Sequence, residues 1–94
     1  MDEKCKVKKI TVYPKKRLSL QYHNFRSEHW LVVNGKASVH IDGKDFSLLP
    51  GQSIDIPLKS KHFIKNETDK NLTIIETQLG TYFGEDDIIR LDDP

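Results

Sequence analysis

Residues 21–35, QYHNFRSEHWLVVNG, are the stretch on which the predicted fold depends. Gln21 and His23 lie two residues apart, so in an extended strand their side chains point to the same face. Glu28 follows after a short linker and begins the next apolar strand, HWLVV. The stretch therefore predicts two neighbouring strands that carry an amide, an imidazole and a carboxylate close together.

The rest of the chain also has the pattern of short strands separated by turn residues. Alternation in RLSLQYH predicts a strand over residues 17–23, with Leu18, Leu20 and Tyr22 on one face and Ser19, Gln21 and His23 on the other. Asn34-Gly35 and Asp42-Gly43 predict two-residue hairpin turns. Further strands are expected at SIDIP, HFI and LTIIETQL, with turns after Pro50-Gly51, in residues 57–61 and in 66–71. GEDDIIRL fits a helical turn or a strand. This pattern predicts an all-β antiparallel sandwich or barrel.

Length and charge limit the possible functions. The 94 residues, 10.9 kDa, predict one domain spanning 1–94. A net charge of +1 gives no electrostatic drive toward nucleic acid, and no apolar run reaches the ~18 residues of a membrane helix. The N-terminus lacks the apolar segment of a secretory signal, and the single Cys5 fits a reducing compartment. We therefore expect a cytoplasmic protein with no nucleic-acid or membrane partner.

Four side chains form a candidate metal site: Gln21, His23, Glu28 and the later His62, which starts a strand after the loop at Pro57. In an antiparallel barrel they can meet at the mouth, and their nitrogen and oxygen donors suit a divalent transition metal. Taken alone, a Gln-x-His pair on a strand and a single histidine after a loop are more often surface residues or parts of a hydrogen-bond network.

The spacing of two motifs resembles the cupin superfamily. The first motif is matched at 21–35 by Gln21, His23, Glu28 and Gly35, and the second at 51–66 by Gly51, Pro57, His62 and Asn66. Lys59 replaces a glycine of the second motif. The resemblance implies a double-stranded β-helix (jelly-roll) barrel. It also implies that Gln21, His23, Glu28 and His62 ligate a metal, for which zinc, manganese, cobalt and nickel are candidates.

A narrower resemblance is to the C-terminal isomerase domain of type II phosphomannose isomerases. That family has glutamine at the first ligand position and an R-x-E-H-W run, matched here from Arg26 to Trp30. Its C-terminal signature, G-x-Y-x-G-E-D-D-I-x-R, is matched over residues 80–90. Two features depart from the family. Asn24 and Phe25 stand where it usually has histidines, and its upstream R-P-W-G segment is not matched. No glycine-rich nucleotide-binding stretch is present either, so we expect no guanylyl transfer from this chain.

The resemblance implies the interconversion of mannose 6-phosphate and fructose 6-phosphate through a cis-enediol. Such a reaction needs a base, stabilisation of negative charge and an anchor for the phosphate. Arg26 is the candidate for charge stabilisation and His29 for proton transfer, although His29 adjoins Glu28 and would face away from the metal in a regular strand. Arg90 and Glu85 are the candidate substrate-binding residues.

Other interpretations stay open at this point. The chain can be a non-catalytic sugar-binding or regulatory cupin, or a cupin isomerase or epimerase for another sugar phosphate or nucleotide sugar. The acidic run 85–87 is also typical of a solvated face or a helix cap. Leu18, Leu20 and Tyr22 need cover, which predicts a homodimer.

Overall fold

The structure is a computed structural model that describes residues 4–92. It is built from nine strands and one short 3₁₀ turn. The strands are β1 (Lys4–Val12), β2 (Gln21–Tyr22), β3 (Arg26–Asn34), β4 (Ala37–Ile41), β5 (Lys44–Leu48), β6 (Ser53–Ile56), β7 (His62–Lys65), β8 (Leu72–Gly80) and β9 (Ile89–Arg90), with the turn at Glu85–Asp87. Among the described residues, none belongs to a helix long and apolar enough to cross a bilayer.

Two antiparallel sheets face each other. The first has the strand order β1-β8-β3-β6 and the second β5-β4-β7-β2-β9. Apart from the hairpin of β4 and β5, neighbouring strands are not consecutive in sequence, so the chain repeatedly passes from one sheet to the other. This is the jelly-roll arrangement that the resemblance to the cupins implies, and it confirms the all-β double-stranded β-helix.

The sandwich has an apolar end and a polar end. The apolar core alternates with outward-facing residues along the strands, as expected for a half-buried sheet; it consists of Val12, Trp30, Val32, Ala37, Val39, Leu48, Ile56, Ile64, Leu72 and Ile74. Toward the other end of the first sheet, the inward positions of β3 and β8 become polar. They carry Arg26 and Glu28 on β3 and Glu76 and Gln78 on β8, all buried. This polar end holds the candidate site.

The predicted strand over 17–23 is shorter in the structure. Only Gln21–Tyr22 form β2, preceded by an isolated bridge at Arg17. Pairing is interrupted because the backbone N–H of Leu20 donates to the carboxylate of Asp92, at 2.7 Å, instead of to a neighbouring strand. Leu18 packs against the core, so the uncovered apolar face expected for this segment is smaller than the alternation suggests.

One of the two predicted hairpins is wrong. Asp42-Gly43 does join the paired strands β4 and β5, with φ values of 47° and 83°. Asn34-Gly35, in contrast, connects β3 of the first sheet to β4 of the second. Gly35 has φ 90°, and a Cβ there would lie 2.7 Å from the carbonyl oxygen of Asn71. The glycine therefore serves a crossover between sheets, not a hairpin.

Strand β1 was not predicted. It pairs along its whole length with β8, from Lys4 opposite Gly80 to Val12 opposite Leu72. Its lysine-rich sequence hid the pattern, because the inward positions at the polar end are Lys6 and Lys8 and only Ile10 and Val12 are apolar. The ambiguous GEDDIIRL contains both predicted structures, the 3₁₀ turn followed by β9.

Candidate metal centre

Three strands bring the predicted ligands together. Gln21 on β2 pairs directly with His62 on β7, so the two side chains emerge side by side from the second sheet. Glu28 on β3 faces them from the first sheet, and His23 lies just beyond the end of β2. His23, Glu28 and His62 are all buried, and each contributes a ligand atom to a group whose members lie within 4.8 Å of one another.

The two imidazoles point the same kind of atom at Glu28. Nε2 of His23 lies 3.4 Å from Oε2 of Glu28, and Nε2 of His62 lies 3.4 Å from Oε1. On the other side of each ring, Nδ1 faces a backbone carbonyl: that of Asp87 at 3.2 Å for His23 and that of Ser60 at 2.9 Å for His62. Because a carbonyl only accepts hydrogen bonds, both Nδ1 atoms carry hydrogen and both Nε2 atoms are left for the centre.

This donor set fits a divalent cation. Histidine ligands in metal sites commonly donate their second ring nitrogen to a carbonyl, as both do here. The two 3.4 Å separations are longer than the ~2.7–2.9 Å of a charge-assisted hydrogen bond, so the carboxylate and the imidazoles are gathered without being tightly bonded. Gln21, the fourth predicted ligand, pairs with His62 in the sheet, and its amide nitrogen lies 3.2 Å from the carbonyl of Ser19. Two nitrogens and two oxygens suit several transition metals and do not select one.

Arg26 supplies fixed positive charge to the same group. Its Nε and Nη2 atoms lie 3.2 and 3.1 Å from Oε2 of Glu28, and Nη2 lies 3.4 Å from Nε2 of His23. Both side chains of the Arg26–Glu28 pair are almost fully buried. A guanidinium held in this way stays charged and presents planar donors toward the cavity.

Burial and neighbouring charge shift the pKa values of the centre in different directions. Burial lowers the pKa of His23, and Arg26 and His62 add to that effect, which favours the neutral ligand form. Burial alone would raise the pKa of Glu28. The facing His62 imidazole and the positive charge around Glu28 outweigh burial, so the pKa of Glu28 lies below its ordinary value. The carboxylate and a neutral imidazole are the forms that bind metal.

A cavity of about 290 Å³ opens at this end of the barrel. That volume is at the lower limit of ligand pockets, ~300–1,000 Å³, and is suitable for a small polar molecule. Among its lining residues are Gln21, Arg26, Glu28 and His62 from the predicted site, together with Lys8, Glu76 and Arg90. Neither Asn24 nor Phe25 lines it, so the two departures from the family's histidine run fall outside the cavity.

Glu76 is a site residue that sequence analysis missed. It is buried and accepts hydrogen bonds from the Trp30 indole at 2.9 Å and from the Gln78 amide at 2.8 Å, while Lys8 Nζ lies 3.8 Å away. Burial, followed by the negative charge of Glu28, raises the pKa of Glu76. The available signal was a glutamate in LTIIETQL that shares the face of the apolar Leu72 and Ile74.

Asp87 is a second missed residue. The acidic run was expected on a solvated face or at a helix cap, yet Asp87 is only 3% exposed. Its two carboxylate oxygens accept the backbone N–H groups of Asn24 and Phe25, at 2.9 and 3.0 Å. Because its carbonyl faces His23, Asp87 connects the C-terminal segment to the metal centre.

The structure does not bring His29 to the cavity. β3 is regular at this position, and its register shift comes later, between Val32 and Asn34. His29 therefore faces the opposite side of the sheet from Glu28, where Nδ1 lies 2.6 Å from Oδ1 of Asp55. The proton-transfer role predicted for His29 has no geometric support. Arg90 does line the cavity, opposite Gln21 in the sheet. The side chain of Glu85 lies outside the described part of the structure.

The two-sheet jelly roll, with histidine and glutamate side chains gathered inside one mouth, defines this chain as a cupin. Structural comparison agrees. The protein is similar to an uncharacterized conserved protein with a double-stranded β-helix domain from Klebsiella pneumoniae, with a TM-score of 0.81 at 16% identity, covering 95% of this chain and 76% of that one.

Within the cupins, the chain belongs to the family described as Mannose-6-phosphate isomerase C-terminal, whose profile matches residues 1–93. It is 52% identical over 93 residues to the alginate biosynthesis protein AlgA of Pseudomonas aeruginosa, covering 99% of this chain and 19% of that protein. It is 46% identical over 93 residues to the xanthan biosynthesis protein XanB of Xanthomonas campestris, covering 99% and 20%. The chain thus spans about a fifth of the length of these relatives.

Proposed function

We propose that the chain is a metal-dependent mannose-6-phosphate isomerase that interconverts mannose 6-phosphate and fructose 6-phosphate. The observation that carries the proposal is the convergence of His23, Glu28 and His62 with Arg26, at a small cavity, in a member of this family. Gln21, His23, Glu28 and His62 are the residues that would hold the metal. A bound divalent cation would supply Lewis-acid polarisation of substrate oxygens.

The chain's own residues supply the other requirements of an aldose–ketose isomerisation. A proton has to leave C2 of the aldose and return at C1, while negative charge develops on the enediol oxygens. Arg26 lies in the cavity wall, where its buried guanidinium is held beside the Glu28 carboxylate, and it is our candidate for stabilising the negative charge on the enediol oxygens. Arg90, exposed at the rim, is placed to bind the phosphate.

Glu76 replaces His29 as our candidate for moving the proton. It is a carboxyl of the cavity wall, and its oxygens are oriented by Trp30 and Gln78. These hydrogen bonds fix the carboxyl in one place, as a proton-transfer group requires, whereas His29 faces away. Glu85 stays a predicted substrate contact.

The proposal is tested by turnover. Metal-free protein is supplied in turn with zinc, manganese, cobalt or nickel and assayed for fructose 6-phosphate formation from mannose 6-phosphate. We expect turnover with at least one metal. We also expect a loss of ~10²–10⁴-fold in kcat for Glu76→Gln, with substrate KM changed less. Glu67→Gln, which neutralises an exposed glutamate just after β7, is the matched control.

Two results would count against the proposal. One is turnover no higher than that of the Gln21→Ala/His62→Ala double variant with every metal. The other is calorimetric binding of mannose 6-phosphate without conversion, which the non-catalytic sugar-binding alternative predicts. Conversion of a different sugar phosphate in a substrate panel would favour the alternative of a cupin isomerase or epimerase with another substrate. The predicted homodimer and cytoplasmic location are separate proposals, and the first is checked by sedimentation of the purified chain.

A further inference from the structure

We propose that Asp87 is a positioning residue that fixes His23 for metal binding and thereby makes the metal centre depend on the C-terminal segment, residues 80–90. This inference rests on the proposed metal centre. It adds a residue that lies outside the cavity and does not itself ligate.

Asp87 holds His23 by two routes. Its backbone carbonyl lies 3.2 Å from Nδ1 of the ring, which directs Nε2 toward Glu28. Its carboxylate accepts the backbone N–H groups of Asn24 and Phe25, the two residues that directly follow His23. Ring and backbone are therefore both attached to one buried residue 64 positions later in the chain.

His23 needs this support because of its place in the fold. β2 ends at Tyr22 and β3 begins at Arg26, so His23 belongs to neither strand. The carbonyls of His23 and Phe25 accept hydrogen bonds from Lys59 and Thr81, at 2.8 and 3.3 Å. The N–H groups of Asn24 and Phe25 instead donate to Asp87, whose two oxygens match two donors that have no strand partner.

His62, the second histidine of the proposed centre, is oriented by residues close to it in the chain. Nδ1 of His62 contacts the carbonyl of Ser60, only two residues away, and His62 lies in the paired strand β7. Its orientation is therefore local. The orientation of His23, in contrast, is fixed by a residue far along the chain, and it depends on whether the turn 85–87 packs against residues 23–25.

The neighbouring residue provides a matched control. Asp86 is exposed and its carboxylate contacts the Tyr82 hydroxyl rather than the metal centre. Asp86→Asn and Asp87→Asn remove the same charge one residue apart. Asp87→Asn keeps one acceptor oxygen but turns an amide N–H₂ toward the second backbone donor, so it should be milder than Asp87→Ala.

The first experiment measures cobalt affinity of the full chain by absorbance titration at neutral pH. Loss of a residue that orients a metal-bound histidine typically weakens metal binding ~10–100-fold. We expect that loss for Asp87→Ala, a smaller one for Asp87→Asn, and an unchanged affinity for Asp86→Asn.

The second experiment needs no metal. Amide hydrogen exchange of the metal-free protein should show that Asn24 and Phe25 lose protection in both Asp87 variants, whereas Trp30, paired within the first sheet, keeps it. If Asp87→Ala does not fold, Asp87→Asn carries both measurements.

The positioning role is wrong if folded Asp87→Ala binds cobalt as tightly as the unmodified chain, or if Asp86→Asn weakens binding equally. It is also wrong if protection of Asn24 and Phe25 survives in the Asp87 variants. A chain that binds cobalt tightly but does not convert mannose 6-phosphate would remove the proposed function and leave the role of Asp87 standing. A chain that binds neither cobalt nor any of zinc, manganese and nickel would remove both.

Discussion

Neutralising Glu28 tests whether the polar end of the barrel is held together by charge. Glu28 and Arg26 have side chains only 2% and 5% exposed, and two guanidinium nitrogens lie within 3.2 Å of one carboxylate oxygen. In Glu28→Gln the guanidinium stays buried without a counter-charge. Breaking a buried ion pair on one side costs about 3–5 kcal/mol.

We expect the lower end of that range for metal-free protein, about 3 kcal/mol. The amide oxygen introduced by Glu28→Gln would still accept a hydrogen bond from Arg26, and removing the Glu28 charge also relieves its repulsion of Glu76. In a domain of this length each kcal/mol shifts Tm by about 4–8 °C, so the loss corresponds to a decrease of about 12–24 °C. Circular dichroism melting at pH 7.5 with chelator present, together with urea denaturation, measures both quantities.

Replacing Arg26 together with Glu28 should recover much of the stability that Glu28→Gln loses. In Arg26→Met/Glu28→Gln no charge of this pair is left buried, so the double variant should be more stable than Glu28→Gln alone. A control lies on the opposite face of β3, where His29 and Asp55 form an exposed pair. Asp55→Asn should cost at most about 1 kcal/mol. Two results would refute the assignment of a tightly coupled buried pair. One is a loss of stability below about 1 kcal/mol in Glu28→Gln, and the other is a double variant whose loss equals the sum of the losses in Arg26→Met and Glu28→Gln.

Three further predictions concern backbone, pH and metal. Gly35→Ala should lower the free energy of unfolding by at least about 2 kcal/mol more than Gly43→Ala. Both residues have positive φ, but only at Gly35 would the new Cβ meet backbone, and equal losses by urea denaturation would contradict this. The Leu20 N–H and the Arg17 guanidinium lower the pKa of Asp92, so the stability it contributes is present above the unfolded-state pKa of about 3.9 and disappears as pH falls through the lower folded-state value. Asp92→Asn should therefore be less stable than the unmodified chain at pH 6, and the difference should shrink as the pH falls below the unfolded-state value; a difference that stays constant in acid would contradict the linkage. Finally, a divalent metal at 100 times its dissociation constant should stabilise the protein by about 2.7 kcal/mol and raise Tm by about 11–22 °C. Added chelator should reverse the shift, and an unchanged Tm with zinc, manganese, cobalt and nickel would argue against a metal centre.

The parts of the fold that were predictable are those with local signals. Alternation placed β6, β7 and β8 correctly, and Asp42-Gly43 marked a true hairpin because its two residues supply the φ values that the turn requires. Asn34-Gly35 carries the same local signal, yet the strands on its two sides belong to different sheets. A dipeptide specifies a positive φ but not which strand comes next, so only the tertiary packing distinguishes the crossover from the hairpin.

The candidate site likewise contains residues that the sequence could predict and residues that it could not. The resemblance of the motif spacing to the cupins implied that Gln21, His23, Glu28 and His62 meet, and His23, Glu28 and His62 do meet. The spacing was not sufficient to find Glu76, because a single glutamate in a strand is most often a solvent-facing residue. Its inward position became visible only when the register placed it opposite Trp30, a core residue.

The same register explains why polar side chains can occupy the interior at all. Along β3 and β8, apolar inward residues such as Val32 and Ile74 give way to Glu28 and Gln78 within a few positions. The apolar end buries enough side chains to stabilise the sandwich, while the polar end bears costs that packing alone does not explain. One such cost is Oε1 of Gln78, a fully buried atom with no hydrogen-bond partner among the described residues. A buried carboxylate facing two imidazoles, beside a second carboxyl of raised pKa, is an unfavourable arrangement for a protein whose only task is to stay folded. It is a suitable one for a site that receives a cation and a polar substrate, since both would satisfy groups that the fold already holds in place. The departures from a regular apolar pattern, which weaken a prediction of structure from sequence, are therefore the residues that best indicate function.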